Sequence, residues 1–144
     1  MITIRCATPA DEASIYRFVS ALEAQPFDRA LFHIIYQQNI NHPDYYYRVA
    51  EKENTVRGFI SLHTQLLLHH AGRTGEIQEL YVDEQSRGKG VGQRLLAEVE
   101  TIGKTLALVE IEVTAQLHRT DTHRFYQRAG YTQSHAKFTK PLLS

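Results

Sequence analysis

The 144-residue sequence predicts an α+β fold: a mixed, mostly antiparallel central sheet flanked by helices. Two observations carry this. Short runs of alternating apolar residues are interleaved with stretches at helical spacing, in the order β-αα-βββ-α-β-α-β. Hairpin-like neighbours come early and a helical crossover comes late, which is not the order of a doubly wound sheet. The length suits one domain spanning residues 1–144.

Each element has its own signal. Ile2, Ile4 and Cys6 alternate as a first strand, with Cys6 expected to be buried. Thr8-Pro9-Ala10-Asp11 reads as a helix start, Thr8 capping and Pro9 in the first turn. Ile15, Phe18, Val19 and Leu22 then share one helical face. Pro26 interrupts, and Phe27 to about Asn39 carries a second helix. Tyr45 to Ala50 is a strand that turns at Glu53-Asn54 into a partner running from Val56 to about His69. Gly72 and Gly75 are expected in the next turn, before a strand ending at Val82. Val91, Leu95, Leu96, Val99 and Ile102 mark a helix. Leu106 to Thr114 reads as β-rich, Asp121 to Ala129 as a helix stopped by Gly130, and Tyr131 to Phe138 as the closing strand.

Composition narrows the function classes. Lys+Arg and Asp+Glu both number 16, so the net charge is zero, and wholesale nucleic-acid binding is not expected. Tyr45-Tyr46-Tyr47 could stack bases, but a tyrosine run in an early strand is better read as sheet packing. Cys6 is the single cysteine, which rules out an intramolecular disulfide. No apolar run approaches the ~20 residues of a membrane helix, and the start has no signal-peptide pattern. A cytoplasmic enzyme is expected, with no membrane partner and with a homodimer left open.

The most informative stretch is Gln85-Ser86-Arg87-Gly88-Lys89-Gly90-Val91-Gly92, between strand and helix patterns. Strand, glycine-rich turn and helix together aim backbone N–H groups at a phosphate. The third glycine of a dinucleotide fingerprint is absent, since Gln93 stands there; a Walker A loop fails because Lys89 precedes Gly90. The spacing that fits is Arg-x-x-Gly-x-Gly, read as Arg87, Gly90 and Gly92. It resembles the acetyl-CoA pyrophosphate loop of the GNAT N-acetyltransferase superfamily. A second segment, Phe125-Tyr126-Gln127-Arg128-Ala129-Gly130-Tyr131, resembles the Phe-Tyr-x-x-x-Gly-Tyr/Phe hallmark of the same superfamily, and the order of elements matches throughout.

The resemblance implies a sheet splayed at the acetyl-CoA site. Acetyl-CoA is the implied cosubstrate, held by Arg87, Gly88, Lys89, Gly90, Val91 and Gly92, with backbone amides of Leu80, Tyr81 and Val82 on its thioester and pantetheine. It also implies that Tyr126 protonates the departing thiolate. Arg119 and Thr122 stand where family members often carry Asn and Ala. For the base that takes the amine's proton, Glu79 is the first candidate and Glu76 its rival; strand alternation separates them unless a bulge intervenes.

Further stretches, Glu23 to Asp28, Leu68-His69-His70 with Gly75 to Leu80, and Thr122 to Tyr126 with Gly130 to Lys140, resemble those members that acetylate aminoalkylphosphonates. A small-molecule amine of that class is the expected substrate. Alternatives are a polyamine, an amino acid, a protein N-terminus, or a silent acyl-CoA sensor. The acceptor is expected around Phe27, Asp28, His69, His70 and His135, with Arg48 and Lys137 as further cations for a phosphonate. As neighbours in a strand, His69 and His70 would face opposite ways. The resemblance hints at a divalent ion bridging the phosphonate, with no ligand set assigned.

Overall fold

A computed structural model describes residues 1–143. The chain divides into two compact units, residues 1–113 and 114–144. The first contains β1 (Thr3–Cys6), α1 (Glu12–Glu23), α2 (Arg29–Ile40), β2 (Tyr45–Lys52), β3 (Thr55–Leu67), β4 (Gly72–Val82), α3 (Val91–Thr105) and β5 (Ile111–Val113). Its sheet runs β1-β2-β3-β4-β5, antiparallel through β4, with β5 parallel to β4 after the α3 crossover. This is the mixed α+β architecture the sequence predicts.

Helices cover both faces. On one, Ile15 and Phe18 of α1 and Tyr36 of α2 bury against Val49, Val56 and Phe59. Phe18 stacks on Phe59 and Tyr81, at centroid distances of 6.2 and 5.1 Å. Leu95, Leu96 and Val99 of α3 are buried with Ile60, Leu62 and Ile77 of the sheet, and α3 packs on β2, β3 and β4. The β2–β3 hairpin turns at Glu53 and Asn54, both at positive φ, the geometry of the tight turn whose twist suits paired strands.

Polar contacts fix the entry to α1. Asp11 is buried; its carboxylate accepts from the Thr8 amide at 2.7 Å and from Arg5 Nη1 and Nη2 at 2.8 and 2.9 Å. Thr8 precedes a short 3-10 turn, Pro9–Asp11, that leads into α1. At its other end α1 closes with Ala24 at φ 55°, the Gln25 amide reaching Ser20 O at 3.0 Å and the Ala24 amide Ala21 O at 3.3 Å. That is a Schellman cap built on alanine rather than glycine.

Three expectations are corrected in this unit. Gly72 and Gly75 lie inside β4 rather than in a turn; a Cβ on Gly75 would meet Leu108 Cδ1 at 2.9 Å and Leu62 Cδ1 at 3.0 Å, so close packing is what calls for glycine there. Cys6 is exposed, at the end of a strand on the sheet edge. Most of the Leu106–Thr114 run is not strand: Leu108 N–H reaches Gly103 O at 2.9 Å and Ala107, at φ 57°, reaches Lys104 O at 3.1 Å, so the segment first finishes α3 with a second Schellman cap.

The second unit contains α4 (Thr120–Arg128), one residue off the expected helix at each end, with Gly130 at φ 95°. The closing strand expected from Tyr131 to Phe138 is absent. The Tyr131 amide instead reaches Tyr126 O at 2.9 Å. The residues that follow are polar on both faces of any strand, so no buried side exists to fix a register.

Candidate active site

The sheet opens along β4. Pairing with β5 stops at Ile77↔Val113, while β4 continues to Val82 against β3 alone. The Asp83 amide donates to Arg57 O at 2.7 Å, so ladder alternation turns the Tyr81 amide towards β3 and those of Leu80 and Val82 away from it. Among the described residues no strand pairs with that outer edge. Gly58 lets β3 approach, since a Cβ there would stand 2.7 Å from Tyr81 O.

The turn after β4 is built from its own polar groups. Asp83 accepts from the Gln85 amide at 2.7 Å, forming a 3-10 turn, Glu84–Ser86. Arg87 Nε donates to Val82 O at 3.0 Å, and its guanidinium lies 5.2 Å from the Tyr81 ring centroid. Gly88 and Gly90 take φ 75° and 83°, where a side chain would be strained. No atom lies within 4 Å of where a Cβ would stand on either. Gly90 is the N-cap of α3 and offers no side chain to its first amides; those of Val91 and Gly92 are orphan donors suited to an anion. Lys89 is exposed beside them. Arg94 turns elsewhere, donating to Ile2 O at 2.5 Å.

A bulge in the β3–β4 ladder shapes the other side. Ser61 pairs with Glu79 and Leu62 with Ile77, so Gln78 is the extra residue and faces solvent. The register sets Tyr47, Ser61 and Glu79 in one row across β2, β3 and β4, and Tyr45, His63 and Glu76 in the next. Burial pushes the Glu79 carboxyl above its ordinary value; the Ser61 hydroxyl opposes this and the charge of Glu23 adds to it. Tyr47 Oη lies 3.0 Å from Asn39 Nδ2 and 3.1 Å from His63 Nε2. His63 is stacked on Tyr45, centroids 3.6 Å apart, and burial with the charge of His42 pushes it down to about 4.

The expected acceptor residues are not all gathered here. Phe27 and Asp28 sit in the α1–α2 connection, where Asp28 caps α2 by accepting from the Leu31 amide at 2.9 Å. His69 and His70 lie in a 3-10 turn, Leu68–His70, rather than a strand, so their rings stand together at 4.6 Å. That turn is at the far end of β4 from Val82. His70 is paired with Glu110 at 3.2 Å. Arg48 is engaged by Glu98 at 3.1 Å.

In the second unit, Tyr126 is buried, with T-shaped contacts to Phe125 and Tyr131 at 5.1 and 5.5 Å. Burial pushes its hydroxyl up to about 12. His135 is exposed, its Nδ1 2.6 Å from Ser134 Oγ.

Residues 12–131 match the acetyltransferase (GNAT) family. This chain belongs to that family. The acetyltransferase is 40% identical, over 96% of its own length and 90% of the relative's, to the aminoalkylphosphonate N-acetyltransferase of Salmonella typhimurium. Among solved structures, a transcriptional regulator from Bacillus halodurans superposes with a TM-score of 0.91 at 18% identity, covering 99% of this chain and 100% of that one. A GNAT family acetyltransferase from Staphylococcus aureus gives a TM-score of 0.80 at 23% identity, with 98% of each chain covered. Among the described residues of the acetyltransferase, no helix is long and apolar enough to cross a membrane.

Sequence reasoning missed Ser61, Tyr47, His63 and Asn39. A signal existed: Ser61 and His63 recur with period two inside a strand whose other positions are mostly apolar. Asn39 could be placed only by tertiary packing.

Proposed function

We propose that this enzyme transfers the acetyl group of acetyl-CoA to the primary amine of an aminoalkylphosphonate, by direct attack in a ternary complex. The observation that carries the reading is Glu79, a carboxylate with raised proton affinity beside the unpaired edge of Leu80 and Val82. In this reading the pyrophosphate lies on the amides of Gly88 to Gly92 with Arg87 and Lys89 beside it. The outward amides of Leu80 and Val82 take the pantetheine and the developing oxyanion, while Tyr81 supports them through its ring stack on Phe18.

Glu79 accepts a proton from the amine, directly or through water, and the amine's lone pair then attacks the thioester carbonyl. The new C–N bond forms, the C–S bond breaks, Tyr126 gives its proton to the departing thiolate, and the second proton shed by the acetylated nitrogen returns through water to the Tyr126 oxygen. A hydroxyl held near 12 keeps that proton until sulfur gains charge. Much of the acceleration comes from holding amine and thioester together. Glu76, one row away, accepts from the exposed Gln78 through Nε2 at 3.2 Å and is the weaker choice of base.

The phosphonate part rests on the Salmonella relative and on the local stretches shared with such enzymes. In this reading Phe27 and Asp28 form the acceptor wall with Glu23, whose charge acts on Glu79; His135 is the basic group assigned to the phosphonate, since His69 and His70 stand at the far end of β4, beyond its reach from Glu79. A divalent ion does not fit this scheme. Among the described residues, His70, Glu110 and Glu112 bring ligand atoms within 4.8 Å of one another. However, the Glu110 carbonyl is bonded to the Gly75 amide, roughly 13 Å along β4 from Glu79, beyond the reach of a two-carbon aminophosphonate. No step is drawn through a metal. The exposed single thiol of Cys6 suits the reducing cytoplasm, and a homodimer is compatible with the scheme.

Release of free thiol with 2-aminoethylphosphonate, ethylamine and spermidine tests the reading. The phosphonate should be acetylated far better than ethylamine, with or without a chelator. Spermidine outrunning it would remove the substrate assignment and leave the transferase reaction; no turnover of any amine would favour an acyl-CoA sensor.

A further inference from the structure

Ser61 is fully buried on β3, a small polar residue between the equally buried Ile60 and Leu62. Its hydroxyl makes a reciprocal pair with one residue. Oγ accepts the Glu79 amide at 3.0 Å and donates to Glu79 Oε1. A serine hydroxyl carries one proton, and here that proton goes to the carboxylate. The contact sits at the bulge, where Gln78 interrupts the ladder, so Ser61 ties the backbone irregularity to the Glu79 side chain. Among the described residues no donor engages the second oxygen, Oε2.

We propose that Ser61 is the positioning residue of acetyl transfer, holding Glu79 by Oε1 so that Oε2 is presented to the incoming amine. The inference rests on Glu79 being the base. The Ser61 bond also opposes the effect of burial on that carboxyl and so favours its ionised form. Tyr47 from β2 and Glu23 from α1 act on Glu79; His63 from β3 and Glu76 and Tyr81 from β4 stand on the same side of the sheet, and Asn39 and Tyr36 from α2 pack on Tyr47. Of these, Tyr47 and Tyr36 stay protonated, since burial raises both hydroxyls. His63 titrates near 4, so a His63→Gln variant run in parallel identifies any contribution from it.

The experiment is the pH profile of kcat/KM for the amine in Ser61→Ala, Ser61→Thr and Glu79→Gln, with acetyl-CoA affinity measured by calorimetry. In Ser61→Ala the acid limb should move to higher pH, because the donor that favours the ionised carboxylate is gone. Its kcat should fall on the order of 10-fold, short of the 10²–10⁴-fold for losing a base outright, with acetyl-CoA affinity unchanged. Ser61→Thr, which keeps the hydroxyl, should keep the limb where the wild type has it. If Ser61→Ala does not fold, Ser61→Cys, close in size and a weak donor, should move the limb in the same direction. A limb unmoved in a folded Ser61→Ala or Ser61→Cys protein, while Glu79→Gln abolishes it, overturns the Ser61 role alone. A limb that survives Glu79→Gln overturns the base assignment and this inference with it.

Discussion

Tyr16 grips the Phe27 peptide from both sides, its hydroxyl donating to the Phe27 carbonyl at 2.6 Å and accepting from the Phe27 amide at 3.1 Å. One phenol thereby pins the middle of the connection between α1 and α2. Arg29 lies over the same ring at 4.1 Å, and Phe32 meets it edge-on at 5.0 Å. A loop held by its own backbone groups has little freedom in where it places Glu23 and Asp28.

Removing that grip should therefore affect the acceptor and leave the cosubstrate alone. Tyr16→Phe is expected to cost about 1–2 kcal/mol of stability, since two backbone groups lose a partner. The KM for the amine should rise while that for acetyl-CoA stays put. Steady-state kinetics varying each substrate in turn separate the two, and an equal rise in both would show that the loop does not serve the acceptor side.

Gly90→Val addresses the phosphate turn. A β-branched residue at φ 83° is strained by roughly 1–3 kcal/mol, and its side chain would occupy the open space in front of the α3 amides. Titration calorimetry should find acetyl-CoA binding lost in a protein that retains its circular dichroism. Wild-type affinity in that protein would move the pyrophosphate elsewhere.

His63 makes the stability of the fold depend on pH. Its pKa is pushed from the ordinary 6.5 down to about 4, by burial first and the charge of His42 second. The unfolded chain thus takes up a proton on this side chain at a pH where the folded chain refuses it. The contribution is fully present above about 6.5 and is lost as pH falls through 4. Urea midpoints at pH 7 and pH 5 should differ by on the order of 1–2 kcal/mol from this group alone. His63→Gln, which keeps an acceptor for Tyr47, should reduce the difference; an unchanged difference would assign the pH sensitivity to other groups.

Ala24 and Ala107 close α1 and α3 in the left-handed conformation, at φ 55° and 57°. Glycine takes that conformation without a Cβ penalty. Ala107→Gly should stabilise the protein by about 0.5–1 kcal/mol, against the usual direction of such a change, and calorimetric Tm values would register it. A lower Tm would mean that the Ala107 methyl contributes packing worth more than the backbone strain.

Those two caps also explain where the sequence was hard to read. Neither helix carries a glycine at its left-handed cap position, so the boundary after Thr105 has no local mark and the residues beyond it read as strand. Glycines at 72 and 75 suggested a turn but serve close contact in β4, because a strand glycine and a turn glycine look alike without knowledge of the neighbour. The strand expected after Gly130 shows the same limit: an aromatic at each end of a polar segment does not make a strand until a partner exists. What was legible were features repeated by local chemistry, namely the hairpin at Glu53-Asn54, the glycine turn before Val91 and the helix ending at Gly130. Glu79 and Glu76 could be ranked only by strand alternation, and the bulge that changes this alternation depends on Gln78, a residue with no local mark. Ser61 owes its importance to its register partner Glu79, eighteen residues away, rather than to its type.

Beyond Ile77, β4 presents an outer edge that no strand among the described residues covers. Such edges recruit other chains, and proteins ordinarily guard them with charge, proline or a covering loop. In this enzyme the edge has to stay available, because the amides of Leu80 and Val82 are the groups assigned to the pantetheine. Acetyl-CoA would then act as a surrogate strand, completing the sheet and masking a template for self-association in one event. On the proposed assignment, the cosubstrate would be a solubility factor as well as a reactant, and the protein without it would be in its more adhesive form.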